Sequence, residues 1–106
     1  MWIDVNGLVA NAKYQVVACP FDFSYTRTCT LADWTSGAEV NIQTVTTQKG
    51  AEFTAETQRD TWAMTLKAKA DAEGHLKLKL ASDGETGIAW LELKYLEPKG
   101  LLIFLR

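Results

Sequence analysis

Gly87-Ile88-Ala89-Trp90-Leu91-Glu92-Leu93-Lys94-Tyr95-Leu96 is the stretch whose reading decides the fold. Its alternation places Ala89, Leu91, Leu93 and Tyr95 on one side and Trp90, Glu92 and Lys94 on the other. Successive side chains of a strand point in opposite directions, so this is the pattern of a half-buried strand. Trp90 then stands among charges rather than with the leucines. A flat aromatic displayed in that way suits stacking against a planar partner.

Period two recurs across the chain. Strands are predicted at Trp2–Val5, Lys13–Ala18, Val40–Thr46, Phe53–Ala55, Thr61–Ala70, His75–Ala81, Ile88–Leu96 and Leu101–Leu105. They are rich in Val, Thr, Ile, Trp and Tyr. Between them lie turn signals such as Asn6-Gly7, Ser36-Gly37, Lys49-Gly50, Glu73-Gly74 and Asp83-Gly84. Ala68–Glu73 has helix-forming composition, yet it continues an alternating strand and runs into Gly74. The pattern predicts an all-β fold, an antiparallel β-sandwich or jelly roll of about eight short strands in one domain spanning residues 1–106.

At 106 residues the chain is long enough to bury a core without metals or many disulfides. Its net charge of −2 argues against a nucleic-acid partner, which calls for a basic excess. No window approaches the ~18 apolar residues of a membrane span. The opening residues lack the basic start and long apolar stretch of a signal peptide, so export would be directed by a segment outside this sequence. Cys19 and Cys29 flank an aromatic loop that contains Phe21, Phe23 and Tyr25. They would form either a disulfide, if the protein is secreted, or two buried thiols. Their spacing fits neither a zinc site nor a CxxC redox motif.

The predicted inward residues are Trp62, Met64, Leu66 and Ala68, then Leu76, Leu78 and Leu80. If these strands and Ile88–Leu96 form an antiparallel meander, Leu78 faces Leu91 and Leu76 faces Leu93, because a one-residue slip would expose every leucine. That register would bring Lys79 beside Trp90 and Lys77 beside Glu92. Lys67, Lys69, Lys77, Lys79 and Lys94 would then share one outer face, where they would keep the sheet soluble or meet an acidic polysaccharide such as pectin.

Several residues are candidates for ligand contact. Trp90 could stack on the apolar face of a sugar, with Glu92 and Lys79 as acceptor and donor for hydroxyls. The bland alternative is a tryptophan packed under a loop with its N–H satisfied there. Trp34 lies in a turn-rich loop and Tyr25 beside Thr26 and Arg27. Asn41 and Gln43 form an outward amide pair whose donors and acceptors match sugar hydroxyls. Trp2 and Trp62 are assigned to the core. His75, the lone histidine, has no triad partners and reads as structural or exposed. Scattered acids offer no specific pair for glycoside hydrolysis, so no catalytic residue is assigned. The loop around Asp83 and Glu85, with Asp4 and Asn6 from another strand, is a weak oxygen set for a structural calcium; it lacks the usual calcium-loop spacing, and a plain turn is the default.

Four stretches carry a resemblance. Gly7-Leu8-Val9-Ala10-Asn11-Ala12-Lys13-Tyr14-Gln15-Val16-Val17, Trp62 at a strand opening, and the pair Gly74–Leu80 and Ile88–Leu93 resemble β-sandwich carbohydrate-binding modules in strand order. The resemblance implies a non-catalytic, monomeric module of a larger secreted glycoside hydrolase, binding β-glucans such as cellulose, xyloglucan or mixed-linkage glucan. Some members of that group hold a structural calcium. The expected reading is thus an extracellular polysaccharide- or oligosaccharide-binding module, with no membrane or nucleic-acid partner. A protein-interaction or adhesin-type sandwich is the alternative.

Overall fold

A computed structural model describes residues 1–21, 26–47, 54, 56, 58–84 and 87–96. Its seven strands are β1 (Trp2–Val5), β2 (Lys13–Phe21), β3 (Thr28–Asp33), β4 (Val40–Thr46), β5 (Met64–Lys69), β6 (Leu76–Ser82) and β7 (Gly87–Leu96). They form two antiparallel sheets, one in the order β1-β6-β3-β4 and the other β5-β2-β7. The sheets enclose a shared apolar interior, so the fold is an all-β sandwich, as the alternation predicts. Phe53 and Ala55 of one predicted strand, and all of the one at Leu101–Leu105, fall outside the described residues, as do Tyr25 and Glu85; Thr54 is described and is not in a strand.

The inward residues are those that the period selects. Met64, Leu66 and Ala68 of β5 and Leu76, Leu78 and Leu80 of β6 are buried, alternating with exposed or half-exposed neighbours. Val16 and Ala18 of β2 and Leu31 of β3 complete the centre. Each fully buried leucine contributes roughly 1.5–3 kcal/mol of transfer free energy. The slip that would turn these leucines outward is thereby excluded.

β3 was not expected. Thr28-Cys29-Thr30-Leu31-Ala32-Asp33 reads as loop because it follows an aromatic loop and ends in Asp33-Trp34-Thr35. It is nevertheless interior to its sheet, between β6 and β4. The meander of three consecutive strands is therefore wrong. β6 lies between β1 and β3, whereas β7 pairs with β2 in the opposite sheet. Leu78 accordingly pairs with Ile3 and Asp33, and Leu91 with Ala18. Hydrophobic alternation fixes which face a strand buries but not which neighbour it chooses, since either sheet offers the same apolar interior.

Two local departures have local causes. A bulge at Cys19/Pro20 leaves Ala89 unpaired, so Ala89 is exposed and Ile88 turns against the core in its place. The predicted strand at Thr61–Ala70 starts late, because Gln58–Trp62 forms a five-residue π-turn. Trp62 is still core, at 1% exposure, and it anchors that turn.

Candidate functional site

The two sheets present separate outer faces, and each carries a tryptophan. On the sheet β5-β2-β7, Trp90, Glu92 and Lys94 point outward, as expected. Val17 lies between Thr65 and Glu92 in register, and Gln15 between Lys67 and Lys94. The π-turn crosses this face. Trp90 Nε1 donates a hydrogen bond to Gln58 Oε1 at 2.7 Å. The Arg59 guanidinium sits 5.0 Å from the centroid of the same ring. Arg59 also donates to both Glu92 carboxylate oxygens, at 2.6 and 3.4 Å.

That hydrogen-bonded pairing holds the Glu92 carboxyl below its ordinary range, Coulombic attraction to Arg59 adding to the effect and partial burial opposing it. The Arg59 guanidinium is raised correspondingly, first by that hydrogen bond and then by the charge of Glu92. Trp90 is thus half-buried and latched. The expectation of a free indole on this face is corrected: Trp90 is only partly exposed and its N–H is bonded to Gln58. Lys79 does not lie beside Trp90 at all, and the five lysines do not share a face. Lys67, Lys69 and Lys94 belong to this side, while Lys77 and Lys79 lie on the opposite sheet.

On the sheet β1-β6-β3-β4, the residues Trp2 and Asp4 of β1 face outward while Ile3 and Val5 pack inward. Trp2, assigned to the core from sequence, is 48% exposed. The signal was present in the alternation Trp2, Asp4, Asn6 against Ile3, Val5. Trp2 pairs with Lys79 and Asp4 with Lys77. The ammonium groups of Lys77 and Lys79 approach the Trp2 ring to 4.8 and 5.1 Å from its centroid.

Trp34 joins this cluster because the chain turns sharply after β3. The buried Asp33 carboxylate accepts a hydrogen bond from Thr35 N at 2.9 Å. Trp34 N donates to the Lys77 carbonyl at 2.8 Å, and Lys77 N donates to Thr35 Oγ1 at 3.1 Å. The turn is thereby fastened to β6, and the Trp34 ring meets Trp2 edge-on at 5.6 Å and 78°. Lys79 Nζ lies 6.0 Å from the Trp34 ring as well, so one ammonium serves both indoles. The Trp34 Nε1 donor is buried and has no hydrogen-bond partner among the described residues.

Beside this shelf runs a groove of about 410 Å3 lined by Asp4, Asn6, Thr35, Asp71, His75 and Lys77, among others. It is rich in hydrogen-bonding groups of both kinds. Asp71 Oδ1 accepts from His75 N and Glu73 N, at 2.8 and 3.0 Å, and these bonds hold its carboxyl below the ordinary range. His75 is exposed, with Nδ1 3.9 Å from Asp71 Oδ2.

The remaining predicted residues divide differently. Asn41, at φ 54°, donates from Nδ2 to the Lys67 carbonyl at 3.0 Å, which ties β4 to β5 where the two sheet edges meet. With Gln43, Thr65 and Lys67 it lines a shallow groove of about 300 Å3, so its amide is already committed to the fold. Of the proposed calcium set, the described Asp4 and Asp83 do not come together. Asp4 lies level with Lys77 on β6, whereas Asp83 follows Ser82 at the other end of that strand and accepts from Thr28 N at 3.2 Å. Six residues of strand at ~3.3 Å each put roughly 20 Å between them. Among the described residues no group of three or more His, Cys, Asp or Glu is placed to hold a metal ion.

Of the two alternatives for the cysteines, the structure shows the thiols. Cys19 and Cys29 are both buried thiols. Cys19 is the cross-strand neighbour of Trp90 and so belongs to the outward side of β2. Cys29 shares the inward side of β3 with Leu31. Burial, with a smaller contribution from Cys29, pushes the Cys19 thiol up to about 11.

Fold and surface together define a β-sandwich with an aromatic and cationic shelf on one face and a latched tryptophan on the other. Comparison with family models, curated proteins and solved structures returned no match for this chain.

Proposed function

We propose that the chain is a non-catalytic carbohydrate-binding module that holds a polysaccharide against the Trp2–Trp34 shelf. The observation that carries this reading is Trp2: a large indole, 48% exposed, on the outer face of a sheet, with a second indole set against it. Stacking a pyranose on such a surface removes C–H area from water, which is the favourable term in sugar recognition. The adjoining groove supplies what hydroxyls need. Asp4 and Asp71 are acceptors, Asn6 offers donor and acceptor, and His75 and Lys77 are donors.

The site moves from the Trp90 face to the Trp2 face, while Trp34 and Lys79 keep the role assigned to them from sequence. A module of this kind concentrates a tethered enzyme on its polymer, which accords with a place in a secreted, multidomain glycoside hydrolase. Affinity electrophoresis against β-glucans, xyloglucan, xylan and pectin tests the reading. Wild-type protein is retarded by at least one polymer, and Trp2→Ala abolishes the retardation without loss of folding. Retention that survives Trp2→Ala would sink it.

A protein-interaction sandwich is the second reading, favoured by the position of Trp2 on β1, an edge strand of its sheet. Dimerisation that Trp2→Ala dissolves, with no retardation by any polymer, would decide for it.

A further inference from the structure

We propose that the polymer held on the Trp2–Trp34 shelf is anionic, a glycan of uronate units whose carboxylates pair with Lys79 and Lys77. This inference rests on the carbohydrate-binding reading and narrows it to one substrate class.

The first ground is charge. The chain carries a net charge of −2, yet two ammonium groups converge on one exposed ring. Neither pairs with a carboxylate among the described residues, in contrast to Arg59 with Glu92. A sheet that merely needs solubility spreads its lysines into solvent; here both fold back over the indole. A neutral sugar stacked on Trp2 would leave these two cations beside it with hydroxyl partners alone. A carboxylate would supply charge-assisted hydrogen bonds, roughly twice as strong as neutral ones.

The second ground is placement. Lys79 Nζ reaches both rings from one side, 5.1 Å from Trp2 and 6.0 Å from Trp34. A sugar ring on Trp2 would therefore carry its carboxylate toward Lys79. Asp4 is level with Lys77 rather than Lys79. The carboxylate of the ligand thus belongs at the Lys79 end, and its hydroxyls belong at the groove that Asp4 and Asn6 line. Lys79 is accordingly the more sensitive of the two positions.

Homogalacturonan provides the test, because methyl esterification removes its charge and leaves the backbone. Affinity electrophoresis should show strong retardation by the de-esterified polymer and at least ~10-fold weaker binding to the fully esterified one, the loss expected for one hydrogen bond to a charged group. Lys79→Gln should weaken binding to the charged polymer by a similar factor, Lys77→Gln by less, with thermal unfolding unchanged. Equal binding of both forms, or no effect of Lys79→Gln, overturns the anionic reading. If Trp2→Ala still abolishes retardation in that case, the carbohydrate module stands without it. Retardation by no polysaccharide overturns both. Equal retention by polyaspartate, insensitive to Trp2→Ala, would mean general polyanion attraction and also overturns the proposal.

Discussion

Trp90 Nε1 donates a 2.7 Å hydrogen bond to Gln58 Oε1, and this bond joins the last strand of the smaller sheet to the π-turn above it. The ring is covered by Arg59, which is held in turn by Glu92. Trp90 therefore acts as a structural clamp. Gln58→Ala should lower the unfolding free energy by about 1 kcal/mol, the usual worth of one such bond. It should also shift tryptophan emission to the red, since the indole gains water. Polysaccharide retardation should be unaffected. Denaturant titration followed by fluorescence reads the first two effects, and a loss of retardation would return Trp90 to the binding site.

Acid should loosen that clamp. Glu92 and Asp71 both have folded carboxyl groups held below their ordinary values of 4.5 and 3.8. A depressed folded value means that the unfolded chain takes up the proton first. The stabilisation is then complete above the ordinary carboxylate range and is lost as pH falls through the lower folded values. Stability measured by denaturant should hold steady from pH 7 to 5 and decline below about 4. Glu92→Gln and Asp71→Asn should each flatten part of that decline, because the substituted site no longer titrates. An undiminished slope in both variants would show that other carboxylates govern it.

Much of this was legible in the sequence, and the gaps have physical reasons. Alternation in Met64–Lys69 and Leu76–Ser82 marked which residues are inward, because a strand has only two faces and one must be dry. In Gly87–Leu96 it held for Leu91 and Leu93 but not for Ala89, displaced by the bulge, or Tyr95, which is exposed. It could not assign partners. Leu78 is as well satisfied against Ile3 as against Leu91, so the meander that brought Lys79 to Trp90 was one of several registers with the same burial. Trp2 was misread because one indole beside Ile3 and Val5 looks like core until its parity with Asp4 and Asn6 is counted. The Gln58–Arg59 latch carried no periodic signal. Five residues of π-turn give neither a helical face nor a strand alternation, and only the fold brings them over Trp90.

Gly74 allows a prediction independent of any ligand. It adopts φ 77° in the turn before β6, and a Cβ there would overlap the Leu8 carbonyl oxygen. Leu8 N donates to the Gly74 carbonyl at 3.0 Å, so the two backbones cannot separate without losing that bond. Gly74→Ala meets both the left-handed penalty of ~1–2 kcal/mol and the steric overlap. Thermal unfolding should fall by several degrees at least. Gly37→Ala, also at positive φ (86°) but with open space around it, serves as the control and should cost only the backbone part. Equal effects at the two sites would mean that the Leu8 contact carries no cost.

The two thiols supply the last test. With Cys19 pushed up to about 11 by burial, and Cys29 equally enclosed, neither should react with a disulfide reagent at pH 8 in the folded protein. Two equivalents should react at once on unfolding. Added reductant should leave the melting temperature unchanged. The sign of the pH effect follows from the raised value. A thiol that ionises later when folded contributes stability that is whole below its ordinary value of 9.0 and is lost as pH rises toward about 11. Cys19→Ala should therefore lower stability at pH 8 through lost packing, yet make it less sensitive to alkali. A melting temperature that drops with reductant would instead demonstrate a bond between the two sulfurs.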